Sequence, residues 1–267
     1  MVQLKSNREI EVMAEGGRIL ADTVDMLRGK VAPGLSTMDL DSMAEDFIRS
    51  HAGATPAFKG LYGFPGSICT SINNEIVHGI PSPKRVLKEG DIISIDVGVG
   101  YKGFFTDSAT TVPVGQVDEL SRRLLDVTQR ALEAGIAAAE ANKHVGDIGA
   151  AIHEVVKEAG FSVARDLVGH GVGTAMHEDP QVPNQGKPGR LTKLTPGLTI
   201  AIEPMVNVGG GGTRTLSDRW TIVTSDGSRS AHFEHTVAIT EDGPRVLTRK
   251  VGESRKQTLE SSELPRG

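Results

Sequence analysis

Five residues of this 267-residue chain, Asp96, Asp107, His170, Glu203 and Glu234, form a set of four carboxylates and one imidazole. Each lies in or beside an apolar, β-branched run: IISIDVGV, FFTDSATTV, LVGHGVG, LTIAIEPMV and HFEHTVAIT. An unpaired carboxylate is costly to bury there, and none of these runs holds a lysine or arginine to offset it. Two divalent metal ions would do so. Hard oxygen ligands with one imidazole suit first-row divalent cations, and bridging carboxylates hold such a pair about 3.5–4 Å apart.

The local patterns say how each side chain is presented. Asp96 and Asp107 flank the GYKG turn of what reads as one hairpin, which can set them opposite each other on one face. Two carboxylates that close do not both ionise without a cation. Read alone, Asp107 could instead close a turn through Ser108. His170 sits in GHGVG, where glycines let backbone approach a ligand closely; His177 follows, and His78 stands in VHGIP. Pro204 ends a regular strand directly after Glu203 and so presents that acid at a strand end. Glu234 belongs to the alternating run from Ala231 to Val237. If Phe233, His235 and Val237 face a core, it shares the opposite face with His232 and Thr236.

Competing motifs are weak. GGGG at 209–212 lacks a phosphate-loop pattern and reads as a flexible connection. Neither a GxSxG elbow nor HExxH is present. Cys69, in SICTSI, reads as packing or pocket lining and not as a nucleophile.

The elements that must position these residues fall into a repeating order. Helical spacing predicts a helix over 7–29 with Ser6 as a candidate N-cap, and a second from Thr37 to His51 that opens on a capping residue. Strands are expected near 67–72, 91–99 and 104–112. The order then recurs: helices near 118–141 and 146–159, strands near 163–168, 198–207, 219–225 and 230–240. PGLSTMDLDSMAEDFIRSHAG at 33–53 resembles ANKHVGDIGAAIHEVVKEAGF at 141–161, pairing Asp39 with Asp147 and Gly53 with Gly160. About the same offset carries Asp96 onto Glu203. A duplicated helix-helix-strand unit follows, with its site at the junction of the halves.

Bulk properties bound the class. The length allows one large mixed unit with a substantial core. A net charge of −5 and a pI near 5.9 argue against a broad nucleic-acid or anionic-membrane footprint. A single cysteine excludes an internal disulfide framework. The N-terminus has no apolar stretch of signal-peptide length, and no run approaches transmembrane length, so a cytoplasmic protein is expected. The polar tail from 251 to 267 is expected to be flexible.

Five motifs together make the chain closely resemble a type I methionine aminopeptidase over about residues 4–248. They are INNEIVHGIP with His78, SIDVGVGYKGFFTDSATT with Asp96 and Asp107, GHGVGTAMHEDPQVPN with His170 and His177, TIAIEPMV with Glu203, and AHFEHTVAIT with Glu234. The resemblance implies an α+β pita-bread fold, a single catalytic domain whose pseudo-symmetric halves, about 4–113 and 114–248, share a central antiparallel sheet around a dinuclear metal centre. It implies Asp96 as ligand of one metal, Asp107 and Glu234 as bridging ligands, and His170 and Glu203 as ligands of the other. Co, Mn, Fe, Ni or Zn would serve. His78 and His177 would contact the substrate, and Phe58, Leu61, Phe64, Cys69, Met176 and Trp220 would form the wall of a methionine slot. Phe58 and Leu61 stand where the best-known bacterial members carry cysteine and tyrosine, which bears on the pocket mouth. A monovalent cation near Asn73, Glu75 and Ser230 is a further implication.

The implied reaction is removal of initiator methionine from nascent proteins whose second residue is small. Hydroxide generated at the metal pair attacks the scissile carbonyl, with Glu203 as proton shuttle. Partners would be N-terminal Met peptides and nascent chains at or near the ribosome, without sequence-specific nucleic acid or membrane, and the chain would act as a monomer. The chain has the minimal form of the type, typical of bacteria. Two other readings compete. Prolidases and creatinases of the same fold usually carry an added N-terminal domain, whereas the catalytic unit here starts near residue 4. Binding modules of the fold that take peptides, histones or RNA have typically lost ligands, whereas all five are kept here.

Overall fold

Side chains close to the chain ends of the helices set where each begins. The computed structural model describes residues 2–250, so the tail expected to be flexible lies outside the described residues. Helix α1 (Asn7–Arg28) starts at Ser6, whose N–H donates to the Glu9 carboxylate at 2.7 Å while the Glu9 N–H donates back to the Ser6 hydroxyl. Helix α2 (Thr37–Arg49) is capped by Ser36 rather than by Thr37. The Asp39 carboxylate accepts the Ser36 N–H at 2.9 Å, and Thr37 spends its hydroxyl on the Ser82 carbonyl instead.

Next come β1 (Ala54–Pro56), β2 (Ile68–Ile72), β3 (Glu75–Val77) and a long hairpin, β4 (Ile92–Tyr101) with β5 (Phe104–Pro113). Lys102 at φ 49° and Gly103 at φ 85° make its two-residue turn, the left-handed pair that matches strand twist. β4 pairs antiparallel with β5 on one side and with β1 and β2 on the other. Alternation then divides β4. Ile93, Ile95, Val97 and Val99 enter a core with Leu20, Leu27, Leu40 and Ile48 of the two helices. Ser94, Asp96 and Gly98 point the other way.

A similar arrangement follows. Helices α3 (Glu119–Ala138) and α4 (Val145–Glu158) pack together, and Asp147 accepts the His144 N–H at 2.7 Å, the capping position that Asp39 fills in α2. Gly53 and Gly160, beyond the equivalent helices, are both left-handed, at φ 83° and 74°. The strands are β6 (Ser162–Val163), β7 (Val168–Gly171), β8 (Glu178–Pro183), β9 (Thr199–Ile202), β10 (Met205–Asn207), β11 (Thr213–Thr215), β12 (Ile222–Thr224), β13 (Ser230–His232), β14 (His235–Thr240) and β15 (Gly243–Val246). One sheet runs β15-β14-β9-β7-β8, and smaller sheets run β13-β10-β6 and β11-β12-β3. Ile200 and Ile202 of β9 and Val237 and Ile239 of β14 join Leu124, Ile136, Ile148 and Ile152 in a second core.

Three runs expected as single strands are broken, the run 163–168 falling between the end of β6 and the start of β7. The run 198–207 splits at Glu203-Pro204, because proline offers no N–H to a ladder. The run 230–240 splits at Phe233-Glu234, where the Glu234 N–H leaves its own sheet to donate to the Ala109 carbonyl of β5. That bond is one of a series joining the halves. The Thr236 hydroxyl accepts the Asp107 N–H at 2.9 Å and donates to the Asp107 carbonyl at 2.8 Å. Ser108 donates to the Glu234 carbonyl, and Thr111 binds both the N–H and the carbonyl of His232.

Candidate active site

A cavity of about 710 Å³ opens along this seam, walled by strands of both halves. Asp96 and Asp107 reach it from β4 and β5. They share a face but are not directly opposite: Asp96 pairs with Ala109 and Asp107 with Gly98, so the two acids are diagonal neighbours. Glu203 enters at the end of β9, in phase with Thr199 and Ala201 and away from the core. Glu234 enters at the start of β14, in phase with Thr236. All five residues of the carboxylate and imidazole set line one cavity, with Asp96, Asp107, Glu203 and Glu234 buried.

The donor set can be tested against a metal from its own hydrogen bonds. The Nδ1–H of His170 donates to the Gly171 carbonyl at 2.9 Å, which leaves an unprotonated Nε2 facing Glu203 Oε1 at 3.6 Å and Asp107 Oδ2 at 3.7 Å. Ligand atoms of Asp107, His170 and Glu234 all lie within 4.8 Å of one another. Asp96 Oδ1, Asp107 Oδ1 and Glu234 Oε1 are buried without a hydrogen-bond partner. Orphaned, converging carboxylate oxygens beside a lone-pair nitrogen fit divalent cations and fit little else. Burial pushes the Asp96 carboxyl up to about 7. Burial and then the neighbouring carboxylates push Asp107, Glu203 and Glu234 well above the usual range. A bound cation reverses that penalty.

Around the acids stand imidazoles. His78, at a left-handed φ of 59°, is held neutral by burial, which lowers it to about 4, with His177 adding to the effect. His177 lies at the cavity mouth, its ring against the edge of His170 at 4.4 Å between centroids and stacked with Tyr62 at 5.9 Å. The following residue anchors that loop. Glu178 takes a buried ion pair from Lys5, the Ala175 N–H and the Thr174 hydroxyl.

Phe58, Leu61, Phe64, Cys69 and Trp220 line the apolar end, with Phe64 and Trp220 edge to face at 5.1 Å. Met176 packs in the same cluster over the site-side face of Gly98, beside Phe58, and is not among the residues lining the cavity. A Cβ at Gly98 would stand 2.4 Å from Met176 Cε and 2.8 Å from Phe58 Cε1, so only glycine lets β4 floor this slot. Burial, with Asp96 and Asp107 nearby, pushes the Cys69 thiol up, which suits lining and not nucleophilic attack. Away from the cavity, the Asn73 carbonyl accepts the Ser230 N–H at 2.8 Å, whereas the Glu75 carboxylate is committed to Arg85 and the Ile72 N–H.

Among the lining residues that the sequence did not single out are Tyr62 and His232. Tyr62 gave no signal, standing alone in a loop. His232 shares Glu234's alternation, and that phase was the available clue.

Residues 11–241 match the model of metallopeptidase family M24. The chain is 50% identical over 248 residues to the methionine aminopeptidase of Clostridium perfringens, covering 93% of this chain and 99% of that one. Among solved structures it resembles methionine aminopeptidase from Thermotoga maritima at 43% identity and a TM-score of 0.92, covering 94% and 100% of the two chains. Prolidase from Pyrococcus furiosus, at 23% identity and a TM-score of 0.72 over 93% of this chain and 66% of that one, shares the fold alone.

Proposed function

The chain belongs to metallopeptidase family M24 and, within it, to the methionine aminopeptidases, and from that premise we propose that it removes the N-terminal methionine of nascent proteins whose second residue is small. The observation that carries this reading is the union of two features in one cavity. Four buried carboxylates with converging, unpartnered oxygens stand beside an apolar slot of Phe58, Phe64, Cys69 and Trp220.

Asp107 and Glu234 would bridge two divalent ions, with Asp96 on one and His170 and Glu203 on the other. When bound, such ions polarise a carbonyl and lower the pKa of a coordinated water. The apolar slot seats the methionine side chain and excludes water from it. A thioether-sized slot discriminates modestly, about 1–3 kcal/mol per methylene, so orientation at the polar end must supply the rest. Glu203 takes on a carboxylate oxygen the proton that the attacking water gives up and passes it to the amine nitrogen as the scissile C–N bond breaks. His78 and His177, both neutral, hydrogen-bond the scissile peptide and stabilise charge that develops on its carbonyl oxygen. No helix of the described residues is long and apolar enough to cross a membrane. We place the activity in the cytoplasm, on chains emerging from the ribosome.

Purified protein loaded with Co, Mn or Fe should release methionine from a Met-Ala-Ser peptide. A folded, metal-loaded protein that leaves this peptide intact would overturn the reading.

A further inference from the structure

We propose that His232 supplies a second imidazole nitrogen to the metal centre, which then comprises four carboxylates and two imidazoles. The inference rests on the metal centre proposed above and assigns it one more ligand.

His232 ends β13 and is only 2% exposed, yet neither ring nitrogen has a hydrogen-bond partner. A histidine buried for packing alone usually finds one, as His235 does in Thr248 at 2.9 Å. The Nε2 of His232 lies 3.6 Å from Glu203 Oε2 and 3.8 Å from Glu234 Oε2. Those separations are too long for hydrogen bonds. They match the 3.6 and 3.7 Å between His170 Nε2 and its own carboxylates. Two ligand atoms, each about 2.1 Å from a shared cation and about 120° apart, stand about 3.6 Å from one another. Both rings are thus spaced from carboxylate oxygens as co-ligands are.

The backbone keeps the ring there. Thr111 grips the N–H and carbonyl of His232, each at 2.8 Å, and Met205 pairs with it across β10. Because no protein acceptor fixes its tautomer, an unprotonated Nε2 is available to a cation. A second imidazole shifts preference toward nitrogen-tolerant ions such as Co, Ni and Zn, and away from Mg and Mn.

The test uses the full-length protein loaded with Co(II) and observes ring N–H protons shifted by the paramagnetic ion. Two strongly shifted exchangeable signals are expected, from His170 and His232. His232→Gln should leave one and weaken Co(II) binding by about tenfold or more in calorimetry. His78→Asn and His177→Asn should leave both signals, so the count in the native protein decides even where His232→Gln fails to fold. One signal in the native protein, with His232→Gln binding Co(II) unchanged, overturns the inference and leaves the metal centre standing. No shifted signal at all overturns the centre itself.

Discussion

In the first half, Asp96 and Asp107 stand on one hairpin whose strands each run ten residues unbroken, whereas in the second half His170, Glu203 and Glu234 each stand where a strand is interrupted. His170 borders a register shift against β8, Glu203 precedes Pro204, and Glu234 lies between β13 and β14. An intact ladder holds side chains to one of two faces at fixed spacing, so it supplies a flat pair of acids and nothing above them. A cation needs donors from several directions. Interrupted strands supply those directions, because the chain changes course at a break, so side chains that keep the phase of their own strand still approach the site from different sides. One half is the platform and the other closes over it.

The sharpest way to break this contrast sets one acid of each half against the other, Asp96 and Glu203. Glu203→Gln should lower kcat on a Met-Ala-Ser peptide by about 10²- to 10⁴-fold while peptide binding survives, and added metal should not restore it. Asp96→Asn should chiefly loosen the metal, so activity returns as metal is raised. If both variants respond to metal alike, the halves are chemically equivalent and the contrast fails.

Metal removal tests the seam where platform and cover meet. Without metal, the raised carboxyls of Asp96, Asp107, Glu203 and Glu234 retain protons in the folded chain that the unfolded chain releases. Their contribution is full at low pH and is lost as pH rises through about 7 and beyond. His78, His170, His232 and His235 are lowered to about 4, 4, 3 and 3, so their contribution is full above pH 6.5 and is lost as pH falls. Below pH 6.5 the two groups oppose each other, and above it the acids act alone. The Tm of chelated protein should therefore fall as pH rises above 6.5, and that slope should flatten on adding Co(II). Parallel slopes with and without metal would contradict the site.

Smaller effects probe each part separately. Gly98→Val adds bulk to the platform where Met176 and Phe58 already touch, and should cut kcat/KM for methionyl substrates by about 10- to 200-fold with metal affinity kept. Unchanged kinetics would mean that β4 does not floor the slot. Thr236→Val removes the hydroxyl that bridges to Asp107 and leaves that N–H and carbonyl unpaired, at about 1–3 kcal/mol of unfolding free energy. A loss well below that range in denaturant titration would show that the halves are held elsewhere.

The platform was nearly all legible in the sequence and the cover only partly. IISIDVGVGYKGFFTDSATTV announces its strands by β-branching and its turn by glycine, so the hairpin and its two acids could be read directly. The diagonal offset could not, because it depends on which two residues form the turn. Pro204 marked the break after Glu203, but nothing in HFEHT marks the break before Glu234, whose N–H is drawn to a carbonyl more than a hundred residues away. Strands β8 and β15 went unread since their sequences, EDPQVP and GPRV, carry prolines and lack alternation. His232 was visible as a neighbour in phase with Glu234. Its separation from Glu203 is a tertiary fact with no local signature.

The bonds of the seam join residues 121 to 129 positions apart in sequence. Contacts so distant close large loops and tend to form late in folding. The centre therefore cannot exist in a partly made chain: with Thr236 still unsynthesised, the platform lacks its cover and Glu234 has only just been added. An aminopeptidase built this way would pass most of its own synthesis inert, and catalytic competence would arrive close to the moment when folding completes.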